Sequence, residues 1–176
     1  MVHKFTTDVS PSWVRCAISL LTTGRRALKT YMSLFLYDSL LQSSRIGADS
    51  DDLEYLQGLL STQQSMDQII STQQLGDHVG RALGLEKVMR WHPAVRVDTV
   101  AGTRETGLFK VRGTCVEAVL GAIYHYRGAQ VAQYFFMSKI LPNLETLNLA
   151  PTLVRKRIAE VSVEATQALA SVSYTH

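Results

Sequence analysis

The chain reads as an all-α protein, and three observations carry that expectation. Apolar residues recur at three- and four-residue spacings over most of the length, capping signals precede several of those stretches, and alternating apolar–polar runs are nearly absent. Its 176 residues, 46% hydrophobic and 19% charged, suit one compact domain, or one domain with an extra helix, around a single sizeable core. Four prolines and 11 glycines, with no Pro/Ser/Gly tract, argue against a long linker. Cys16 and Cys115 are far apart and lack CxxC spacing, so neither a disulfide scaffold nor a thiolate zinc site has the material it needs. The apolar stretches near residues 17–21 and 31–41 are broken by Arg25, Arg26, Lys29 and Asp38, short of the roughly 18 uninterrupted apolar residues of a membrane span. No membrane association is expected.

Residues 13–21 and 26–42 read as two helices, the second carrying Leu28, Tyr31, Phe35, Leu36 and Leu40 on one face. The polar run 42–52 reads as a loop whose Ser50, Asp51 and Asp52 cap a helix starting near Leu53. Ser71-Thr72-Gln73-Gln74 has the form of a capping box ahead of a helix with Leu75, Val79 and Leu83 in a stripe, stopped by Gly84. Gly76 and Gly80, four apart on that helix, allow a neighbouring backbone to approach closely. Between Arg90 and Gly113 the periodicity lapses and a long loop is expected, of unknown role. Residues 114–126 form an apolar helix ending at Arg127-Gly128, and residues 129–141 another, stopped before Pro142. The last helix opens at Pro151 and presents Val154, Ile158, Val161, Ala165, Leu169 and Val172 as an amphipathic stripe.

Net charge is only +3, but it is segregated. Five cations (Lys4, Arg15, Arg25, Arg26, Lys29) precede residue 31 against Asp8 alone, and residues 38–67 hold six acids against Arg45. From Arg81 to Arg112 seven cations face three acids. Segregated positive charge is the footprint of a protein that neutralises phosphates, and equally of ordinary solvated helix faces. Chosen by charge alone, the candidates for RNA contact are Arg81, Lys87, Arg90, Arg96, Arg104, Lys110, Arg112 and the triplet Arg155, Lys156 and Arg157. For that triplet, solvated face and phosphate contact stand level.

The segment TCVEAVLGAIYHYRG, beginning at Thr114, carries the most information. It resembles the second signature of the ribonuclease III family, of the form D-x-F-E-A-L-I-G-A-I-Y-x-D-x-G, through Glu117, Ala118, Leu120, Gly121, Ala122, Ile123, Tyr124 and Gly128. Upstream, LGDHVGRALGLEKVMRW (75–91) looks like the family helix L-A-x-L-A-R-E-L-G-L, and LLTTGRRALKTYMSLFLYDSLL (20–41) like the helix that begins L-E-F-L-G-D-A-V-L. The resemblance covers residues 13–141. It implies an N-terminal extension at 1–12, a ribonuclease III-like helical endonuclease domain at 13–141 and a C-terminal helical extension at 142–176.

The family's chemistry implies divalent cations held by four carboxylates, which generate the attacking water and stabilise the leaving oxygen of an RNA phosphodiester. Here those positions are Leu21, Arg25, Thr114 and Glu117, so three of the four ligands are missing. Sliding the first motif restores nothing, because no Asp or Glu occurs between Asp8 and Asp38. Arg25 makes matters worse: a positive charge some 4 Å from a divalent ion costs on the order of 8 kcal/mol at an effective dielectric of about 20. The resemblance with these departures therefore implies no catalytic residues, no metal and no cofactor. It also suggests that Glu117 now pairs with Arg25 or Arg26, a guanidinium replacing the cation, or else meets a backbone group or water.

Other chemistry has less support. His78, His92 and His125 lack metal-site spacing, no G-x-S-x-G elbow, P-loop or GxGxxG occurs, and Cys115 reads as a small buried hydrophobe. Tyr124, Tyr126, Tyr134, Phe135 and Phe136 could stack on bases but suit a core or dimer seam better.

In the family two such domains pair, with the second-signature helix near the seam, so the resemblance implies a dimer with itself or a related domain. The roughly 35 residues after Leu141 are too few for a double-stranded-RNA-binding domain. Members lacking both the catalytic acids and that appendage include ribonuclease III-like constituents of the mitochondrial large ribosomal subunit, notably the fungal kind, which this chain resembles. The expectation is a noncatalytic structural ribosomal protein of the mitochondrial matrix, touching rRNA and neighbouring ribosomal proteins. The alternatives are a double-stranded-RNA endonuclease borrowing ligands from an intact partner, and a noncatalytic subunit of another RNA-processing complex.

Overall fold

In a computed structural model, residues 12–90, 107–148 and 150–173 are described. Every regular element among them is helical, as the periodicity predicts, and none of these helices is long and apolar enough to cross a membrane. Residues 1–11 of the expected N-terminal extension, with Trp91, His92, Arg96 and Arg104, lie outside the described residues.

Helix α1 runs unbroken from Ser12 to Arg45, over 34 residues, where the sequence predicted two helices. The intervening Thr22–Arg25 stays helical because Gly24, costly in a free helix, is where α1 meets another helix. On its inner stripe Ala27, Leu28, Tyr31, Met32, Phe35 and Leu36 are buried at helical spacing, while residues 15–19 are exposed. Helix α2, Ser50–Ser61, starts three residues earlier than expected. Its N-cap position falls on Asp49, which makes no side-chain cap bond, and Asp51 and Asp52 instead sit in the first turn, where carboxylates favour the helix dipole. Helix α3, Gln63–Ile69, is capped by Thr62, whose hydroxyl accepts from the Ser65 amide at 3.3 Å.

The Ser71 capping signal holds: its Oγ accepts from the Gln74 amide at 3.4 Å and starts α4, Thr72–Gln74. Helix α4 continues directly into a π-helical turn, Leu75–Gly80, that buries Leu75 and Val79. Gly84 ends the segment with φ +64, the left-handed stop expected of it. Helix α5 spans Leu108–Arg127. The expected loop thus ends by residue 107, because Gly113 serves a close helix contact against Thr72 and not a turn. Helix α6, Ala129–Phe135, passes into a π turn, Phe136–Ile140, and a 3-10 turn, Leu141–Asn143. Pro142 lies inside that last turn, at a first-turn position that needs no N–H donor, and does not stop the chain before it. A short α7, Glu145–Asn148, precedes α8, Thr152–Ser173, whose first helical bond is accepted by the Pro151 carbonyl. Of the expected α8 stripe, Val154, Ile158, Val161 and Ala165 are buried, and Leu169 and Val172 half-buried.

Helix α5 is the axis of the molecule. Helix α1 packs along one side of it, the α4–π segment along another, and α6 and α8 complete the core through Ala132, Phe136, Ile140 and Val154. The α1–α5 crossing is a glycine contact. A Cβ on Gly24 would overlap the Glu117 carbonyl, and one on Gly121 would overlap the Leu20 carbonyl. Gly76 likewise sits against the Phe109 carbonyl, as its spacing suggested. The backbones can therefore approach until Arg25, next to Gly24, and Glu117, one turn before Gly121, face each other.

Candidate functional site

That approach brings Arg25 of α1 onto Glu117 of α5. The Arg25 Nε donates to Glu117 Oε1 at 3.1 Å and its Nη2 to Oε2 at 3.0 Å, a two-pronged, charge-assisted pair. The pairing suggested by the sequence is present, with Arg25 and not Arg26 as the partner. Glu117 is buried, with 5% of its side chain exposed, whereas Arg25 remains 61% exposed. The hydrogen bond to Glu117, and then its charge, hold the Arg25 guanidinium above the ordinary arginine pKa, with burial a smaller opposing influence.

Leu21, Arg25, Thr114 and Glu117 line one cavity of about 350 Å³, together with Ile18 and Arg26. The register read from Gly24 therefore does bring the four positions together in space. The donor set does not fit a divalent ion. One carboxylate faces the cavity, both its oxygens already accept from Arg25, and the other three positions offer an alkyl chain, a guanidinium and a hydroxyl. Among the described residues no three His, Cys, Asp or Glu side chains converge to hold a metal.

A second cavity of about 260 Å³ also borders the ion pair, lined by Arg25, Lys29, Asp67, Ser71, Thr72 and Glu117 among others. Lys29, one turn beyond Arg25, bonds Asp67 of α3 at 2.6 Å. Sequence reasoning missed this contact. Asp67 was legible only as a member of an acidic stretch, and nothing local signals that α3 folds back onto α1. Further along the same crossing, Thr23 Oγ1 lies 3.1 Å from His125 Nε2, and the Tyr31 hydroxyl donates to the Ala129 carbonyl at 2.7 Å.

The charge-selected RNA candidates divide on burial. Arg81, Lys87, Arg90, Lys110, Arg155 and Lys156 are exposed. Arg112 is a correction: it is 1% exposed, donating to Glu86 at 2.7 Å and to Asp77 at 3.3 Å, and no phosphate can reach it. Arg157 is half-buried, with 22% of its side chain exposed: it clamps α8 to α1 through Asp38 at 2.9 Å and bonds Glu160 at 3.3 Å, while its buried Nε has no partner. Burial pulls the Arg157 pKa down, but its bonds to Asp38 and Glu160 outweigh that and leave it above the ordinary value. Of the aromatic residues, Phe136 is buried and Tyr134 and Phe135 half-buried, while Tyr124 and Tyr126 are exposed near the end of α5. Cys115 is half-buried, and that burial raises its thiol pKa.

No curated protein and no solved structure matches the chain significantly. A family model described as ribonuclease-III-like matches residues 16–144, a span that takes in α1 to the 3-10 turn after α6 and leaves α8 outside. With most of its length inside that match, and the Gly24–Gly121 crossing bringing the signature positions onto one cavity, the chain belongs to the ribonuclease-III-like family.

Proposed function

We propose that this protein is a noncatalytic member of its family, binding RNA as a structural part of a larger assembly. One observation carries the reading: the Arg25 guanidinium bonds both oxygens of Glu117 at the place where the family's chemistry calls for a cation between carboxylates. Without a set of anionic ligands no divalent ion would be held there to lower the pKa of a bound water or to stabilise a leaving oxygen. What remains is a rigid helical body with exposed cations such as Arg81, Lys87, Arg90, Arg155 and Lys156, suited to phosphate contact.

The assembly we propose is the mitochondrial large ribosomal subunit, in the matrix. There the chain contacts rRNA and neighbouring ribosomal proteins and pairs with a second ribonuclease III-like domain. Support for this part is the sequence resemblance to ribosomal members that lack the catalytic acids.

Incubation of the purified chain with double-stranded RNA and Mg²⁺ or Mn²⁺ should leave the RNA intact, and a tagged copy should sediment with the mitochondrial large subunit. Cleavage lost in Glu117→Gln would overturn the noncatalytic reading in favour of an endonuclease. Intact RNA without co-sedimentation would replace the ribosome with another RNA-processing complex.

A further inference from the structure

Arg25 meets Glu117 side-on, through Nε and Nη2, and this leaves the outer edge of the guanidinium uncommitted. Two of the five N–H groups of an arginine are used, so three remain, on Nη1 and Nη2, and the side chain is 61% exposed. A planar guanidinium can hold a carboxylate on one edge and a phosphate on the other. Arg25 and Glu117 line both cavities, so the exposed guanidinium borders open space.

The surroundings favour an anion. Arg26 lines the cavity shared with Thr114 and pairs with no carboxylate among the described residues. Lys29 lines the other cavity with Ser71 and Thr72. Against Arg25, Arg26 and Lys29 stand Glu117 and Asp67, which leaves one net positive charge at the mouth of a site whose hydroxyls can donate as well as accept. No acid occurs on α1 before Asp38 to reverse that sign.

We propose that the outer edge of Arg25, with Arg26 and Lys29 beside it, binds a backbone phosphate of RNA directly, without a metal ion. The proposal rests on the RNA-binding reading above and assigns the contact to the Arg25–Glu117 site. Glu117 positions the guanidinium and does not touch the RNA.

The test is fluorescence anisotropy of the full chain with a labelled RNA hairpin, in EDTA and at several salt concentrations. Arg26→Gln alters only an exposed side chain. Arg25→Gln combined with Glu117→Gln exchanges the ion pair for two neutral amides, so no buried charge is left behind. Each variant should weaken binding about tenfold at low salt and reduce the salt slope by about one. Arg45→Gln, about 30 Å further along α1 at 1.5 Å per residue, should bind as the parent does. Parent-like binding by both site variants would overturn the Arg25 assignment and leave the RNA-binding reading standing. Binding that vanishes in EDTA would also overturn it. No binding by the parent chain would sink both.

Discussion

Helix α5 carries two arginine–carboxylate clusters of opposite build. At Glu117 the acid is buried and its arginine is exposed beside two cavities, whereas at Arg112 the arginine is buried and its acids, Asp77 and Glu86, are 17% and 44% exposed. In sequence both are single charges on one apolar helix. The difference teaches that the buried member shows what a cluster is for. A buried arginine tied to two acids braces the α4–π segment against α5, and a buried acid with an exposed arginine offers cationic edge to the outside.

The same asymmetry sets the order of mutational effects, because removing one partner of a buried pair is costly when the member left behind is the buried one. The largest loss is expected for the double variant Asp77→Asn, Glu86→Gln. Arg112 would then remain at 1% exposure, unable to lose its proton and without a counter-charge. We expect destabilisation of about 4 kcal/mol, a Tm drop of roughly 12 °C by calorimetry. A drop of a degree or two would mean that Arg112 is not confined as described.

Gly24→Ala comes next. It leaves both clusters chemically intact but drives a Cβ into the Glu117 carbonyl, so α1 and α5 must separate and carry Arg25 away from its partner. Overpacking against backbone should cost about 3 kcal/mol in urea unfolding. A neutral result would break the link between the glycine crossing and the ion pair.

The Arg25 pair should respond unequally to loss of either half. Arg25→Gln strands Glu117, 5% exposed, and should cost about 2 kcal/mol. Glu117→Gln leaves an arginine that water already reaches, and should cost under about 1 kcal/mol. Equal costs would contradict the burial assigned to the two partners.

These two clusters also measure what was legible in the sequence. The Arg25–Glu117 pair could be anticipated because Gly24 and the Glu117 signature fixed a register, and the acid-free stretch from residue 9 to 37 left Glu117 no partner metal cage. Arg112 was misread as a phosphate ligand because charge says nothing of burial. Its partners lie 26 and 35 residues earlier, beyond any local periodicity. The single α1 was missed for a related reason, since Gly24 weakens a helix by propensity and is retained by a tertiary contact that only α5 explains. The cap at Ser71 and the stop at Gly84 were legible, because both are decided within four residues.

The smallest effect is kinetic and probes the ground between the clusters. Cys115 lies on α5 between Arg112 and Glu117, half-buried, and Cys16 lies on the exposed start of α1. Thiolates, not thiols, react with maleimides, and burial raises the Cys115 pKa, so at neutral pH less of it is in the reactive form. Its labelling rate should accordingly go on rising with pH beyond the range in which an ordinary thiol levels off. At pH 7 Cys16 should label at least about tenfold faster than Cys115, a ratio read by mass spectrometry of tryptic fragments. Glu117→Gln should leave the ratio nearly unchanged, since Arg25 stays solvated without its partner and no charge is stranded in the interior. The Asp77→Asn, Glu86→Gln variant should shrink it, because the cluster that braces α5 against the α4–π segment also controls how often its N-terminal half opens. If the Glu117 variant opened Cys115 and the Asp77, Glu86 variant did not, the roles assigned to the two clusters would be reversed.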